Sequence, residues 1–394
     1  MPSWATVEAR GTRRAGPPVA EVGGTVAGRV TLQTVADRVG VSRMTVSNAF
    51  SRPDQLSPAL RSRILAAAEE LGYSGPDPTA RALARGSTGA VGVLLTDSLE
   101  YAFSDEVATR FLGSMSAGLA STGLALTLLS ASEGPVLPAR ELPLDGAVVY
   151  SCLPESPSLD WLIRRRLPLV YVDQPPNPSH PSVNIDDRGG ARAGARHLVE
   201  LGHRRIAVLT SNSAGPHGVL TDPSALRDAY VAGERLRGWL DELGAVGVQP
   251  PIMVEPYLPA LGFADRLLDL ADPPTAVLCF SDAIALTVVG AARRRGLDVP
   301  GDLSVVGFDD APMAARVTPG LTTIAQDVDA KGRAAAALLV SEMAARRNVA
   351  TAEAADAAAD AAAAGPGHAP RREVLPTSLV VRGSTAPPRP GRGA

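Results

Sequence analysis

The sequence predicts an α/β chain: an N-terminal three-helix helix-turn-helix domain with a hinge helix, followed by two doubly wound parallel-sheet lobes. Three observations predict it. Three short stretches with helical spacing, each with its own cap, lie between residues 31 and 72. Beyond Gly89, apolar β-branched runs alternate with amphipathic stretches, and the alternation occurs twice over. The length of 394 residues exceeds what one hydrophobic core supports, so a small module plus a larger two-lobed body is expected.

In the first helix Leu32, Val35, Ala36 and Val39 recur along one face, Thr31 is placed as N-cap, and Gly40 ends the helix and turns the chain. Ser42 caps a second helix whose inward residues are Val46, Ala49 and Phe50. Its opposite face carries Arg43, Met44, Ser47 and Asn48. A third helix starts at Ser57-Pro58, buries Leu60, Ile64, Ala67, Ala68 and Leu71, and ends at Gly72.

Three helices with a tight glycine turn between the first two are the arrangement that places a second helix in the DNA major groove, although a generic three-helix bundle shares the pattern. The residue types favour DNA. Arg43 can donate twice to guanine and Asn48 can bond a base edge, while Thr45 and Ser47 suit phosphate oxygens.

The run VTLQTVADRVGVSRMTVSNAFSRPDQLSPALRSRILAAAEELGY resembles the DNA-binding domain of the lactose-repressor (LacI/GalR) family. The likeness continues through GPDPTARALARGSTGAVGVLL and, with weaker spells, to LPTSLVVRGST. It implies lobes of periplasmic-binding-protein type, a homodimer or larger assembly, and a pseudo-palindromic double-stranded operator. Thr31, Ser42, Arg43, Met44, Thr45, Ser47 and Asn48 then form the DNA surface.

Residues 79–85 are a helical stretch too short to be stable alone in water. In the family this hinge folds when two subunits pair on DNA and a leucine wedges apart a central base step; Leu83 and Ala80 hold the matching positions. The spacing from Tyr73 to Leu83 is one residue longer than is commonest there, and packing of Leu83 within a linker is the competing reading.

AVGVLL, LALTLL, GAVVY and LPLVYV read as strands of one lobe, and RIAVLT, PPIMV, TAVLCF and LSVVGF as strands of the other. Helices between them are expected near residues 106–119, 159–165, 190–201, 226–243, 263–270 and 283–294. Parallel strands covered on both faces direct their C-termini into a crevice, where a ligand binds. Asp173, Ser281, Asp282, Asp309 and Asp310 sit just past strands.

The resemblance adds Arg235, three residues before Gly238-Trp239, as the arginine that grips the effector. It also places Thr96, Phe103 and Gln326 at the pocket, with Phe103 able to stack on a sugar face. The effector-binding set is therefore Thr96, Phe103, Asp173, Arg235, Asp282, Asp309 and Gln326, and a sugar is the first expectation for the small-molecule effector. Two alternatives accompany it: Asp282 can cap the next helix, and Asp310 faces the turn. Val328 stands where some relatives carry an aromatic ring.

The expected boundaries are a disordered tail at 1–29, the helix-turn-helix at 30–75, hinge and linker at 76–88, the effector-binding and dimerisation domain at 89–383 and a tail at 384–394. An alanine-rich, low-complexity insertion is expected at about 348–372. Arg10, Arg13 and Arg14 in the first tail offer a second reading, a basic arm on DNA.

Lys331 is the only lysine, so arginine elsewhere reflects a chain-wide bias rather than phosphate binding. Cys152 and Cys279 read as reduced core thiols, with no metal-ligand spacing and no cofactor motif, and GGARAGA lacks the spacing of a phosphate loop. No apolar run is long enough to span a bilayer and no secretory signal is evident, which points to the cytoplasm. A sugar-binding transport protein with a fused DNA-binding-like module is the alternative function. An enzyme using Asp309 and Asp310 is discounted, because no nucleophile or metal set accompanies them.

Overall fold

The computed structural model describes residues 30–95, 99–131, 136–153, 155–212, 217–226, 229–256, 262–356 and 370–390. It divides into two compact units, one ending at Ala84 and the other beginning at Arg85.

The first unit contains α1 (Leu32–Val39), α2 (Arg43–Ser51) and α3 (Pro58–Glu70), with α4 (Pro78–Arg85) at its end. Each expected cap is made: Thr34 N donates to Thr31 Oγ1, Thr45 N to Ser42 Oγ at 3.0 Å, and Leu60 N to Ser57 Oγ. Gly40 takes φ +77°, and its N–H closes α1 on the Ala36 carbonyl, so the turn into α2 uses the left-handed backbone that glycine tolerates. Val35, Ala36, Val46, Ala49, Ile64 and Ala68 form the core, with Phe50 and Tyr73 edge to face against one another.

In the second unit the elements run β1 (Ala90–Leu95), α5 (Leu99–Ser104), α6 (Glu106–Leu119), β2 (Ala125–Ser130), α7 (Pro138–Glu141), β3 (Gly146–Tyr150), α8 (Pro157–Arg164), β4 (Leu169–Val172) and β5 (Ser182–Ile185). They continue with α9 (Asp187–Glu200), β6 (Ile206–Ser211), β7 (Gly218–Val219), α10 (Tyr230–Ala245), β8 (Ile252–Glu255), α11 (Phe263–Leu268), β9 (Ala276–Cys279) and α12 (Asp282–Arg294). The last are β10 (Ser304–Asp309), α13 (Pro312–Arg316), β11 (Thr322–Gln326), α14 (Val328–Asp356), β12 (Arg372–Leu375) and β13 (Thr377–Val380).

Two sheets result, in the orders β12-β5-β4-β3-β1-β2 and β13-β11-β10-β9-β6-β8-β7. The first is parallel throughout; the second is parallel except at its edges, where β13 and β7 pair antiparallel. Apolar clusters cover both faces of each sheet, as burial on two sides requires. Cys152 and Cys279 are free and buried within them.

The eight expected strands and six expected helices of this unit are present. Strands β5, β7, β11, β12 and β13 were not expected. β7, β12 and β13 are short, partly exposed edge strands, while the polar residues of β5 and β11 are buried through partners that local hydropathy does not register: Asn184 of β5 is held by Gln174, Thr322 N donates to Ser384 Oγ, and Thr323 Oγ1 donates to Asp282.

Two expected boundaries are corrected. The alanine-rich insertion placed at about 348–372 begins inside a helix, since α14 runs to Asp356, and it overlaps β12 at Arg372; alanine is the strongest helix former. Residues 357–369 and the tail at 1–29 lie outside the described residues. The tail expected at 384–394 is part of the fold as far as Pro390. Ser384 is fully buried between β10 and β11, Ala386 bonds Ser304 and His203, and Arg389 pairs with Asp302.

Helix α14 lies on α6 through glycine. A Cβ on Gly332 would collide with the Ser114 hydroxyl and stand 2.8 Å from the Phe111 carbonyl oxygen. Gly332→Ala is therefore expected to destabilise the chain by about 1–3 kcal/mol, read as a lowered midpoint of urea unfolding.

Candidate functional site

Two sets of candidate residues fall in the two units. In the first, Arg43 and Met44 project from the start of α2 and are exposed, Met44 by 69 %. Thr45, Ser47 and Asn48 are half-buried on the same helix. Ser42 is bound to its capping role and shares its hydroxyl with Thr45 at 2.8 Å, so both present backbone and hydroxyl dipoles at the helix N-terminus. Asn48 Nδ2 donates to Gln55 Oε1 at 3.1 Å, which fixes the amide orientation. The sequence alone did not single out Gln55. Thr31 is occupied in a reciprocal capping box with Thr34 at the start of α1.

Leu83 is 86 % exposed on the eight-residue α4, and Ala80, one turn before it, is also exposed. Asp77 Oδ1 accepts from Thr79 N and Ala80 N and holds the first turn. A leucine side chain left in water on a marginal helix adds no packing to that helix, and the exposure disfavours the linker-packing reading.

In the second unit a cavity of about 410 Å³ opens where the strands end. Leu95, Tyr150, Asp173, Ser211, Asp309 and Gln326 reach it from the C-termini of β1, β3, β4, β6, β10 and β11. Ser151, Asp173 and Asp309 adopt positive φ (49°, 54° and 111°), which side-chain-bearing residues rarely do, and all three line the cavity. Such strain concentrates where a side chain must be aimed at a ligand.

Arg235, on α10, is 4 % exposed. Its Nε donates to Asp187 Oδ1 at 2.8 Å, Nη1 to the Phe280 carbonyl at 2.5 Å, and Nη2 lies 3.6 Å from Asp309 Oδ1. The guanidinium also stacks 3.5 Å from the centre of the Phe308 ring. Gln326 Nε2 donates to Asp309 Oδ1 at 2.7 Å, and its Oε1 accepts from Lys331 Nζ, which donates to Asp173 Oδ2 at 2.7 Å. A chain of hydrogen bonds, broken only by the Arg235–Asp309 ion pair, thus runs Asp187, Arg235, Asp309, Gln326, Lys331, Asp173.

Asp282 lines the cavity, but both its oxygens are engaged, by Thr323 Oγ1 and by Ala311 N. It does not cap α12; Ser281 does. Asp310 turns away and pairs with Arg382 at 2.7 Å. Phe103 is corrected: its neighbours Ala102 and Ser104 line the cavity, whereas its own ring lies on the outer side of α5 and is 64 % exposed. The pattern gave no sign of α5, and a residue assigned to a loop had no outer face to choose. Thr96 lies outside the described residues. Val328 is buried in the core of the first lobe.

Sequence reasoning missed Lys331, Asp187 and Asp105, all close to the cavity. A signal existed for the first, as the solitary lysine among arginines.

Burial crowds the carboxylates and raises their pKa values: Asp309 up to about 8 although Arg235 opposes it, Asp282 to about 7, and Asp187 to about 6. The folded chain therefore keeps a proton on Asp309 between the ordinary 3.8 and about 8, where an unfolded aspartate has lost it. Stability consequently falls as pH rises through that window. Asp309→Asn should show a smaller drop in melting temperature from pH 5 to pH 8 than the native chain, measured by scanning calorimetry.

Comparison with known proteins agrees with this division. Residues 31–75 match the bacterial regulatory proteins of the lacI family, and residues 195–385 match the periplasmic binding protein-like domain. An HTH-type transcriptional regulator of Mycolicibacterium smegmatis is 41 % identical over 334 residues, covering 79 % of this chain and 90 % of that one. The lac repressor dimer, solved on its operator with the anti-inducer ONPF, shares 26 % identity at a TM-score of 0.68, covering 91 % of this chain and 99 % of that one. A complex of the transcriptional regulator CelR with cellobiose shares 27 % identity at a TM-score of 0.58, covering 90 % of this chain and 100 % of that one. With a DNA-reading module, a two-lobed ligand domain and relatives matched along most of its length, the chain belongs to the LacI family of bacterial regulatory proteins.

Proposed function

We propose that the chain is a cytoplasmic homodimeric repressor of carbohydrate-utilisation genes, switched by a sugar bound in the cavity of the second unit. The observation that carries this reading is the pairing, in one chain, of an exposed Arg43–Met44 face on a capped helix with a charge-paired cavity at the ends of two parallel sheets.

Each Arg43, Met44 and Asn48 surface reads one half of a pseudo-palindromic operator, and the two Leu83 side chains wedge a central base step. Burying Leu83 in the base stack gives the hinge helix the partner it lacks in the isolated chain. Arg235, Asp309, Asp173 and Gln326 bind the sugar by alternating donors and acceptors around its hydroxyls. A ligand that touches both lobes favours one lobe arrangement over another, and the two hinges of the dimer respond through that shift.

The cavity is read as a binding site and not a catalytic one, because Asp309 and Asp310 diverge: the first faces the cavity, the second pairs with Arg382. Glycoside turnover by purified protein that vanished in Asp309→Asn would reject this. The two buried free thiols support a reducing compartment.

Two substitutions separate the halves of the function. Arg43→Ala is expected to weaken operator binding by about 5- to 100-fold, with little change on unrelated DNA and none in effector affinity, read by competition footprinting. Arg235→Ala should bind operator normally and lose its response to effector.

A further inference from the structure

Lys331 stands apart from every other basic residue of the chain. All the others are arginine, yet this position keeps the compact ammonium. The side chain is 1 % exposed and lines the cavity. An ammonium carries three donors. Two are used, on Asp173 Oδ2 at 2.7 Å and Gln326 Oε1 at 3.1 Å. No hydrogen bond to a described residue engages the third, the Tyr150 ring lies 5.8 Å from Nζ, and a planar guanidinium would not present donors in a tetrahedral arrangement.

Its partner supplies the complement. Asp173 Oδ1 is buried and accepts no hydrogen bond from the protein, while Oδ2 is held by the ammonium. Asp173 takes positive φ and lines the cavity at the end of β4. A donor and an acceptor thus lie side by side in a buried setting, and a hydroxyl group, which both gives and takes a hydrogen bond, satisfies both. A buried acceptor left without a partner costs more than a hydrogen bond returns, so the pair discriminates strongly for such a group.

Charge narrows the class further. Lys331 is neutralised by Asp173 at 2.7 Å, and Arg235 by Asp187 at 2.8 Å. Asp105 and Asp282 add carboxyls to the wall, with no further cation among the described residues that line the cavity. A phosphate ester would bring two negative charges to a site whose cations are already matched.

We infer that Lys331 and Asp173 form a specificity-determining subsite that grips a hydroxyl of an uncharged polyol and excludes its phosphate monoester. This rests on reading the cavity as the effector site. Lys331 acts by direct contact with the ligand, and Gln326 ties the subsite to the Arg235–Asp309 pair.

The test uses the full chain in calorimetric titrations with uncharged hexoses, pentoses and cyclitols, each alongside its phosphate monoester. An uncharged compound should bind, with its ester at least about 10-fold weaker. Lys331→Met should weaken that compound by about 10- to 100-fold. The deoxy analogue lacking the gripped hydroxyl should bind the variant and the native chain alike, a pattern that a purely structural lysine would not produce. Should Lys331→Met not fold, the Lys331→Met/Asp173→Asn double variant, which removes both charges together, must show the same loss.

Binding by phosphate esters alone, or Lys331→Met affinity within twofold of native, overturns the inference. Arg235→Ala tells the two readings apart. If it abolishes binding while Lys331→Met does not, only this subsite fails; if binding survives in both, the cavity is not the effector site and the broader reading fails with it.

Discussion

Two cations buried with too many carboxylates set the terms for the ligand domain. Arg235 and Lys331 have almost no access to water, and each has a carboxylate in contact, without which the buried charge would be strongly destabilising. Gln326 joins the two ion pairs by giving a hydrogen bond to one and taking one from the other. The pairs draw on both lobes: Asp173 ends a strand of the first sheet, Asp309 and Gln326 end strands of the second, and Lys331 sits on the helix leading from one to the other. The lobes are therefore joined by polar contacts as well as by covalent chain, and a ligand entering the cavity meets groups that already hold both.

The DNA-binding unit relies on a different economy. Its small core is enough to fix three helices because every helix start is capped and the one tight turn falls on glycine. Its fourth helix has no such core. An eight-residue helix with an exposed leucine draws little stability from its own length or from packing of that side chain.

The helix-turn-helix was legible almost residue by residue, since caps, glycine turn and apolar spacing all act within a few positions. The eight expected strands were legible for a similar reason: continuous apolar runs such as AVGVLL and LSVVGF need no partner to be recognised. What escaped were elements whose burial is paid by residues far along the chain. Thr322 and Thr323 look exposed until Ser384 and Asp282 are placed beside them. Within the cavity, Arg235, Asp309, Asp173 and Gln326 lie where the family resemblance put them, while Phe103 does not, because the turn into α5 faces it outward. Lys331 was visible as a compositional oddity, and only the geometry gives that oddity a chemical reason.

The order in which strands enter the first sheet carries a consequence for synthesis. Its edge strand β12 comes from residues 372–375, and α14, which covers one of its faces, follows every strand of the second lobe except β13. On a ribosome the first lobe emerges early yet lacks an edge strand and part of its core until translation is nearly complete. The second lobe also waits, for β13 and the segment around Ser384, which close it last. The lobe made first is thus the lobe completed late, with β5 unpaired on one side and apolar surface uncovered in the interval.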